Sequence, residues 1–135
     1  MFSTATILID RSVEEVYEFL SELRTQLRCW DVLSVADYEY LPYGTFSTEG
    51  IFSLGGKTYL CVVELYLTRP GSGVVTRLSW SNGEMAAEFR IMEEGGRTRV
   101  ELNVEGMGGG IATTVHVRHS SQHILSRLKQ QFDMA

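Results

Sequence analysis

Three histidines near the C-terminus have a spacing that could hold a metal ion. His116, His119 and His123 lie three and four positions apart, so one side of a helix would carry three imidazoles, which are good zinc ligands. On a helical wheel they fall nearly opposite Leu128 and beside polar residues such as Gln130. We therefore interpret them as solvent-facing side chains, and the sequence predicts no resident metal or other cofactor.

Two glutamates in apolar segments are the candidates for acid–base chemistry. A carboxyl group turned into an apolar interior holds its proton more tightly, so Glu49 or Glu64 could act there as an acid or base. The alternative alternation turns Glu64 outward. It places these residues inward: Tyr59, Cys61, Val63, Leu65 and Leu67. No serine has the context of a nucleophile elbow, and the glycines at 106 and 108–110 lack the Lys-Ser/Thr of a phosphate loop.

The composition limits the classes of function. A chain of 135 residues with 44% hydrophobic and 21% charged residues fits one domain, 1–135, and has no apolar run long enough for a membrane span. The first ten residues lack the apolar core of a signal peptide, so we expect a cytoplasmic location. A net charge of -5 argues against nucleic acid as a partner. Cys29 and Cys61 have no metal or disulfide spacing and are interpreted as buried thiols.

The first third of the chain predicts a strand followed by two short helices. Ser3 to Ile9 is rich in Thr and Ile, and Ser12 with Glu15 forms a capping box that begins a helix. Ser21 marks a break into a second short helix, and the pair ends near Trp30.

The middle of the chain changes to the period of two that is typical of strands. Turn signals rich in Gly, Pro and Asn separate six segments, which predicts sequential antiparallel hairpins. The segments are 33–41, 44–53, 57–69, 73–80, 84–93 and 97–106. Alternation gives this sheet one apolar face and one charged face. Apolar positions include Val74, Leu78, Trp80, Met85, Ala87, Phe89, Ile91, Val100, Leu102 and Val104.

A long amphipathic helix from Ile111 to Phe132 is predicted to cover the apolar face. About 22 helical residues span roughly 33 Å, which matches the width of six or seven strands. Its inward stripe consists of Thr114, Val117, Ser121, Ile124, Leu125, Leu128 and Phe132. The first three are small, so they leave room above a curved sheet and predict a pocket beneath the N-terminal half of the helix. In the alternative, Tyr59, Trp80, Met85 and Phe89 fill that space themselves.

This order of elements resembles the START-like superfamily, which includes the birch-allergen fold and the polyketide cyclase/dehydrase-like proteins. The resemblance covers nearly the whole chain. It depends on the segments 9–20 and 95–100, on Trp30 and Gly50, and on the helix residues Leu125, Leu128, Lys129 and Phe132. It implies an α+β helix-grip fold, in which six to seven antiparallel strands curve around the C-terminal helix and enclose a hydrophobic cavity. Members bind lipids, hormones, polyketides or other apolar ligands, and some cyclise or dehydrate them. No catalytic signature of an aromatase/cyclase can be matched here residue by residue.

Three hypotheses of function follow. In the first, the domain binds a small hydrophobic or aromatic ligand, lipid-like or polyketide-like, beneath the helix. The expected lining is Tyr59, Trp80, Met85, Phe89, Thr114, Val117 and Ser121. In the second, the domain is a polyketide cyclase/dehydratase-type enzyme that uses pocket Tyr or Glu groups to move protons. In the third, it is an interaction module or homodimer that uses a sheet edge or Tyr38, Tyr40 and Tyr43.

Overall fold

The computed structural model describes the backbone of residues 2–31, 33–36, 45–54, 56–108 and 110–133, with the side chains in these ranges except those of residues 46, 54 and 110–119. In chain order the elements are β1 (Phe2–Ile9), α1 (Val13–Leu20), α2 (Leu23–Gln26), a 3₁₀ turn (Leu27–Cys29), β2 (Leu33–Ser34), β3 (Phe46–Leu54), β4 (Lys57–Arg69), β5 (Gly73–Trp80), β6 (Gly83–Glu94), β7 (Arg97–Gly108) and α3 (Gly110–Asp133). This is the α+β order that the sequence predicts.

The two short helices begin and end where the sequence predicts. The Glu15 amide donates to Ser12 Oγ at 3.2 Å, which satisfies one of the free donors at the start of α1. The helix ends at Ser21, whose amide donates to the Tyr17 carbonyl oxygen at 2.8 Å. The 3₁₀ turn then ends at Trp30, as expected.

The seven strands form one antiparallel, curved sheet in the order β1-β7-β6-β5-β4-β3-β2. Six of them agree with the predicted bounds to within two residues. The exception is the segment predicted at 33–41, of which only Leu33–Ser34 is observed as a strand; residues 37–41 and the predicted start at 44 lie outside the described part. Strands β1 and β2 are the two edge strands of this sheet.

The apolar face of the sheet is buried as the alternation predicts. Val100, Leu102 and Val104 are all inaccessible to solvent. Leu67 differs: it is 36% exposed, because the pairing of β4 with β5 shifts register between Leu67 and Arg69 near the strand end. The inward pattern of β4 therefore ends at Leu65.

Helix α3 packs mainly against β1, β7 and the 3₁₀ turn. Ile124, Leu125 and Leu128 are buried, and the partly buried Phe132 packs against Phe19 with ring centroids 5.3 Å apart. The C-terminal half of the predicted stripe therefore anchors the helix. Helix α1 adds a second cover, which the sequence did not predict, because it packs against β6 and β7. No helix within the described ranges is long and apolar enough to cross a bilayer.

Candidate functional site

Three aromatic rings from neighbouring strands meet on the inner face, and we call them the aromatic corner: Phe52 of β3, Tyr59 of β4 and Trp80 of β5. Phe52 and Tyr59 are direct cross-strand partners, so the pleat places both rings on one side of the sheet. The Trp80 ring lies 5.0 Å from that of Phe52 and 6.4 Å from that of Tyr59, centroid to centroid, and both pairs are tilted by 39°. Such tilted contacts are favourable beyond the area they bury.

The rings of the aromatic corner differ in what they can offer to a ligand. Phe52 is fully buried, Trp80 keeps 8% of its surface exposed, and Tyr59 is half-buried. Trp80 and Tyr59 were predicted as lining residues, whereas Phe52 was missed. The alternation of β3 could have found it, since Gly50 and Phe52 lie on the same face and Gly50 is also buried.

Met85 and Phe89, also predicted as lining residues, lie on the inner face of β6, Met85 near the aromatic corner and Phe89 further along the strand. Met85 is opposite Leu78 and Phe89 is opposite Val74 in the pairing of β5 with β6. Their exposed fractions are 1% and 0%, so both side chains are enclosed by protein atoms. The structure therefore places them on the predicted face, in its packed wall.

Ser121 of α3 lies on the opposite side of the helix-grip interior from the aromatic corner, against β1. Its hydroxyl and that of Ser3 are 2.5 Å apart, and the residue is almost fully buried. Thr114 and Val117 belong to the backbone of α3, but their side chains lie outside the described residues, as does the space predicted beneath them. Of the seven predicted lining residues, the structure brings Tyr59 and Trp80 together, with Met85 on the neighbouring strand, whereas Phe89 lies further along the same face.

A buried polar cluster that the sequence did not reveal joins α2 to the sheet. Gln26 is inaccessible to solvent and makes three hydrogen bonds. Its Oε1 accepts from Thr76 Oγ1 at 2.6 Å and from Trp30 Nε1 at 3.1 Å, and its Nε2 donates to the Leu20 carbonyl oxygen at 2.7 Å. This cluster fixes α2 on β5, and so fixes one end of the inner face.

Both candidate carboxylates lie on the outer face. Glu49 is exposed and opposite Val62, while Glu64 is opposite Arg77 and accepts a hydrogen bond from the Tyr66 hydroxyl. That hydrogen bond raises the pKa of Tyr66. The hypothesis of an inward glutamate is therefore wrong, and the alternative alternation of β4 is confirmed from Cys61 to Leu65. The outer face also carries the expected charge pairs, such as Arg90 with Glu88 at 3.0 Å.

The predicted position of His123 on the solvent side of α3 is confirmed. Its side chain is 56% exposed, and its Nε2 contacts the Asp31 carboxylate. The same carboxylate forms an ion pair with Arg127, with 3.1 Å between Arg127 Nε and Asp31 Oδ1. His116 and His119 lie outside the described side chains. Among the side chains that are described, no three metal-ligating groups come together. The arrangement joins α3 to the residues that follow the 3₁₀ turn.

The two cysteines are buried thiols, as predicted. Burial raises the pKa of Cys29 to about 12, an effect that Arg127 and Arg28 oppose only in part. Burial also raises the pKa of Cys61. Because the thiolate is the reactive form, neither residue is suited to nucleophilic chemistry.

The fold that these elements build is a helix-grip fold, and it is similar to the folds of solved START-like proteins. Solved structures with this fold include a START superfamily protein from Mycobacterium smegmatis, with a TM-score of 0.74 and 11% identity over 98% of this chain and 97% of that one. Another is Ara h 8.0201, with a TM-score of 0.68 and 6% identity over 100% and 99% of the two chains. A third is DynU16, a protein in the dynemicin biosynthetic locus, with a TM-score of 0.67 and 13% identity over 98% of this chain.

At these identities the likeness establishes the fold alone. The chain spans only 47% of DynU16, about half of that protein's length. No protein-family model matches the chain, and no curated protein matches it at a significant level.

Proposed function

We propose that the domain binds a small, apolar or aromatic molecule between the curved sheet and α3, with the aromatic corner as the wall that the ligand contacts. The observation that carries the proposal is the half-buried ring of Tyr59, which packs on the inner face against Trp80, itself only 8% exposed. A rigid ring with accessible surface offers an apolar contact at a small cost in side-chain entropy. A helix-grip fold of this kind commonly encloses apolar ligands, which supports the same proposal.

The proposed roof of the site is the N-terminal half of α3, with Thr114 and Val117, while Ser121, hydrogen-bonded to Ser3, closes the interior on the side of β1. The small side chains of Thr114 and Val117 would leave room for a ligand that the rings hold, and the Thr114 hydroxyl would orient it. The outward positions of Glu49 and Glu64 favour binding over acid–base catalysis, because they remove the two carboxylates that could have moved protons on the inner face.

A neutral fluorescent probe, N-phenyl-1-naphthylamine, tests the proposal. We expect saturable binding with fluorescence enhancement, and a loss of about tenfold in affinity for Tyr59→Leu, since one aromatic contact is worth up to roughly 1.5 kcal/mol. Trp80→Leu should weaken binding less, because most of its surface is covered by protein. Tyr59→Phe should keep most of the affinity, which separates a lost ring from a lost fold.

The matched control is Tyr66→Leu, because Tyr66 is an exposed aromatic residue of the same strand as Tyr59 but lies on the outer face. Its affinity for the probe should equal that of the unaltered protein. Equal affinities for the Tyr59→Leu and Tyr66→Leu variants, with both folded by circular dichroism, would contradict the proposed site.

A further inference from the structure

A hollow of about 490 Å³ lies at the free edge of β1. The strands of the aromatic corner, β3 to β5, lie toward the other edge of the sheet. Its volume is in the range of roughly 300–1,000 Å³ that is usual for small-molecule sites. Strand β1, the hairpin between β6 and β7, and helix α3 all contribute to it. The lining residues are Thr6, Ile7, Leu8, Glu94, Arg97, Arg99 and Lys129. We call it the β1-edge hollow.

The β1-edge hollow is positively charged in a chain whose net charge is -5. It gathers Arg97, Arg99 and Lys129 around one carboxylate, that of Glu94, which lies 3.5 Å from Arg99. Within the described part of the chain, neither Arg97 nor Lys129 has an ion-pair partner within 4 Å. The lining therefore carries a formal charge of +2.

Nearby carboxylates do not cancel that charge. Glu101 lies opposite Thr6 on the outer face, but among the described residues it forms no ion pair within 4 Å with a cation of the hollow, and the partner of Arg99 is Glu94. Asp133 is one helical turn beyond Lys129, at the end of α3, and no ion pair joins the two. The unopposed cations of the hollow thus repel one another, and a bound anion would relieve that repulsion.

Protection of a sheet edge explains this charge less well than binding does. Edge strands are often guarded against pairing by charged side chains on the edge strand itself. Here β1 contributes Thr6, Ile7 and Leu8, and the cations come from the flanking hairpin and from α3. Because cations from two separate elements line the same hollow, they can contact one bound ligand together.

We propose that the β1-edge hollow binds a phosphate group that carries a short apolar substituent. A phosphate dianion matches the charge of +2, and the planar guanidinium groups of Arg97 and Arg99 can each donate two hydrogen bonds to its oxygens. Lys129 supplies a third cation from the side of α3. The half-buried side chain of Leu8, on the same outer face as Arg99, offers an apolar surface to the substituent, whereas Ile7 packs against the core on the inner face. This site is separate from the one proposed at the aromatic corner, and neither depends on the other.

Amide chemical shifts of the labelled protein, measured at constant ionic strength, test this proposal with hexyl phosphate as the probe. We expect saturable shifts at residues 6–8, 94–99 and 129. The double variant Arg97→Gln/Lys129→Gln should bind at least about tenfold more weakly, because it loses two charge-assisted contacts. Arg77→Gln is the matched control: Arg77 is an exposed arginine on the outer face of β5, and its loss should leave binding unchanged.

Two further arms distinguish a soluble phosphate ester from a lipid head group. Inorganic phosphate should compete with hexyl phosphate for the same amides. Sedimentation with phosphatidylcholine vesicles that contain phosphatidic acid then shows whether the hollow also accepts a phosphate at a membrane surface, and loss of co-sedimentation in the double variant would assign that binding to the hollow. The proposal is overturned if hexyl phosphate gives no saturable shifts at these residues, or if the double variant binds it as tightly as the Arg77→Gln control.

Discussion

Replacing Gln26 by Leu tests the buried polar cluster, because it keeps a similar side-chain volume while it removes the amide. The change would deprive the Leu20 carbonyl, the Trp30 indole and the Thr76 hydroxyl of the partner that Gln26 provides at 2.7, 3.1 and 2.6 Å. Leaving one buried polar group without a partner costs about 1–3 kcal/mol. If one of the three finds a substitute, we expect the free energy of unfolding to fall by about 3–5 kcal/mol.

A double-mutant cycle with Thr76→Val separates this explanation from a simple packing defect. Thr76→Val alone removes a hydroxyl that donates to Gln26 and should cost about 1 kcal/mol. The variant with both changes has no orphaned hydroxyl on β5, so its loss should be smaller than the sum of the two single losses by about 1–2 kcal/mol.

Urea unfolding followed by tryptophan fluorescence and circular dichroism measures these losses, with Gln130→Leu on the exposed side of α3 as the control. Fluorescence has an added use here, because Trp30 belongs to the cluster and its emission should change in the folded state of Gln26→Leu. A loss below about 1 kcal/mol for Gln26→Leu, or strict additivity in the cycle, would refute the reasoning.

Three further changes test other parts of the structure. Gly108→Ala should lower the free energy of unfolding, measured by chemical denaturation, by more than about 2 kcal/mol, because φ is +74° and the new Cβ would lie 2.4 Å from the Asn82 carbonyl oxygen. Gly95→Ala is the control: φ is +59° and the space around it is open, so the loss should be only about 1 kcal/mol. Cys29 should react with a disulfide reagent at pH 8 about a thousandfold more slowly in the folded protein than in urea, because its raised pKa lowers the thiolate fraction; equal rates would contradict its burial. Asp31→Asn removes two exposed ion pairs to α3 and should lower stability by no more than about 1–2 kcal/mol, less at high salt, as thermal unfolding in low and high salt would show.

The features that the sequence predicted correctly are those that depend on neighbours in the chain. The Ser12 cap needs only a residue three positions later, and the alternation of Val100, Leu102 and Val104 needs only the pleat. Turn residues then separated the strands at the right places. The same local reasoning placed Leu125 and Leu128 on the inward side of α3.

The features that the sequence did not reveal depend on pairs of residues far apart in the chain. Gln26 and Thr76 are 50 positions apart, and nothing local marks either as a partner of the other. The direction of Glu64 was left open because both alternations of its segment contain apolar residues, and the register of β4 against β3 and β5 decided it. Register is a property of the assembled sheet.

The packing of α1 explains why some of the predicted lining residues are fully enclosed while others keep accessible surface. A helical wheel and a strand pattern give each residue a face, and they place Phe89 and Trp80 on the same one. They do not say how completely that face is covered. Because α1 packs against β6 as well as β7, the sheet has two covers, and Phe89 is fully enclosed, while Trp80 keeps 8% of its surface exposed and its neighbour Tyr59 is only half-buried. A ligand that reached Phe89 would have to displace packed side chains, whereas one that contacts Tyr59 would meet an accessible ring. The proposed binding energy therefore belongs to the aromatic corner, and Met85 and Phe89 belong to the packed wall of the same face.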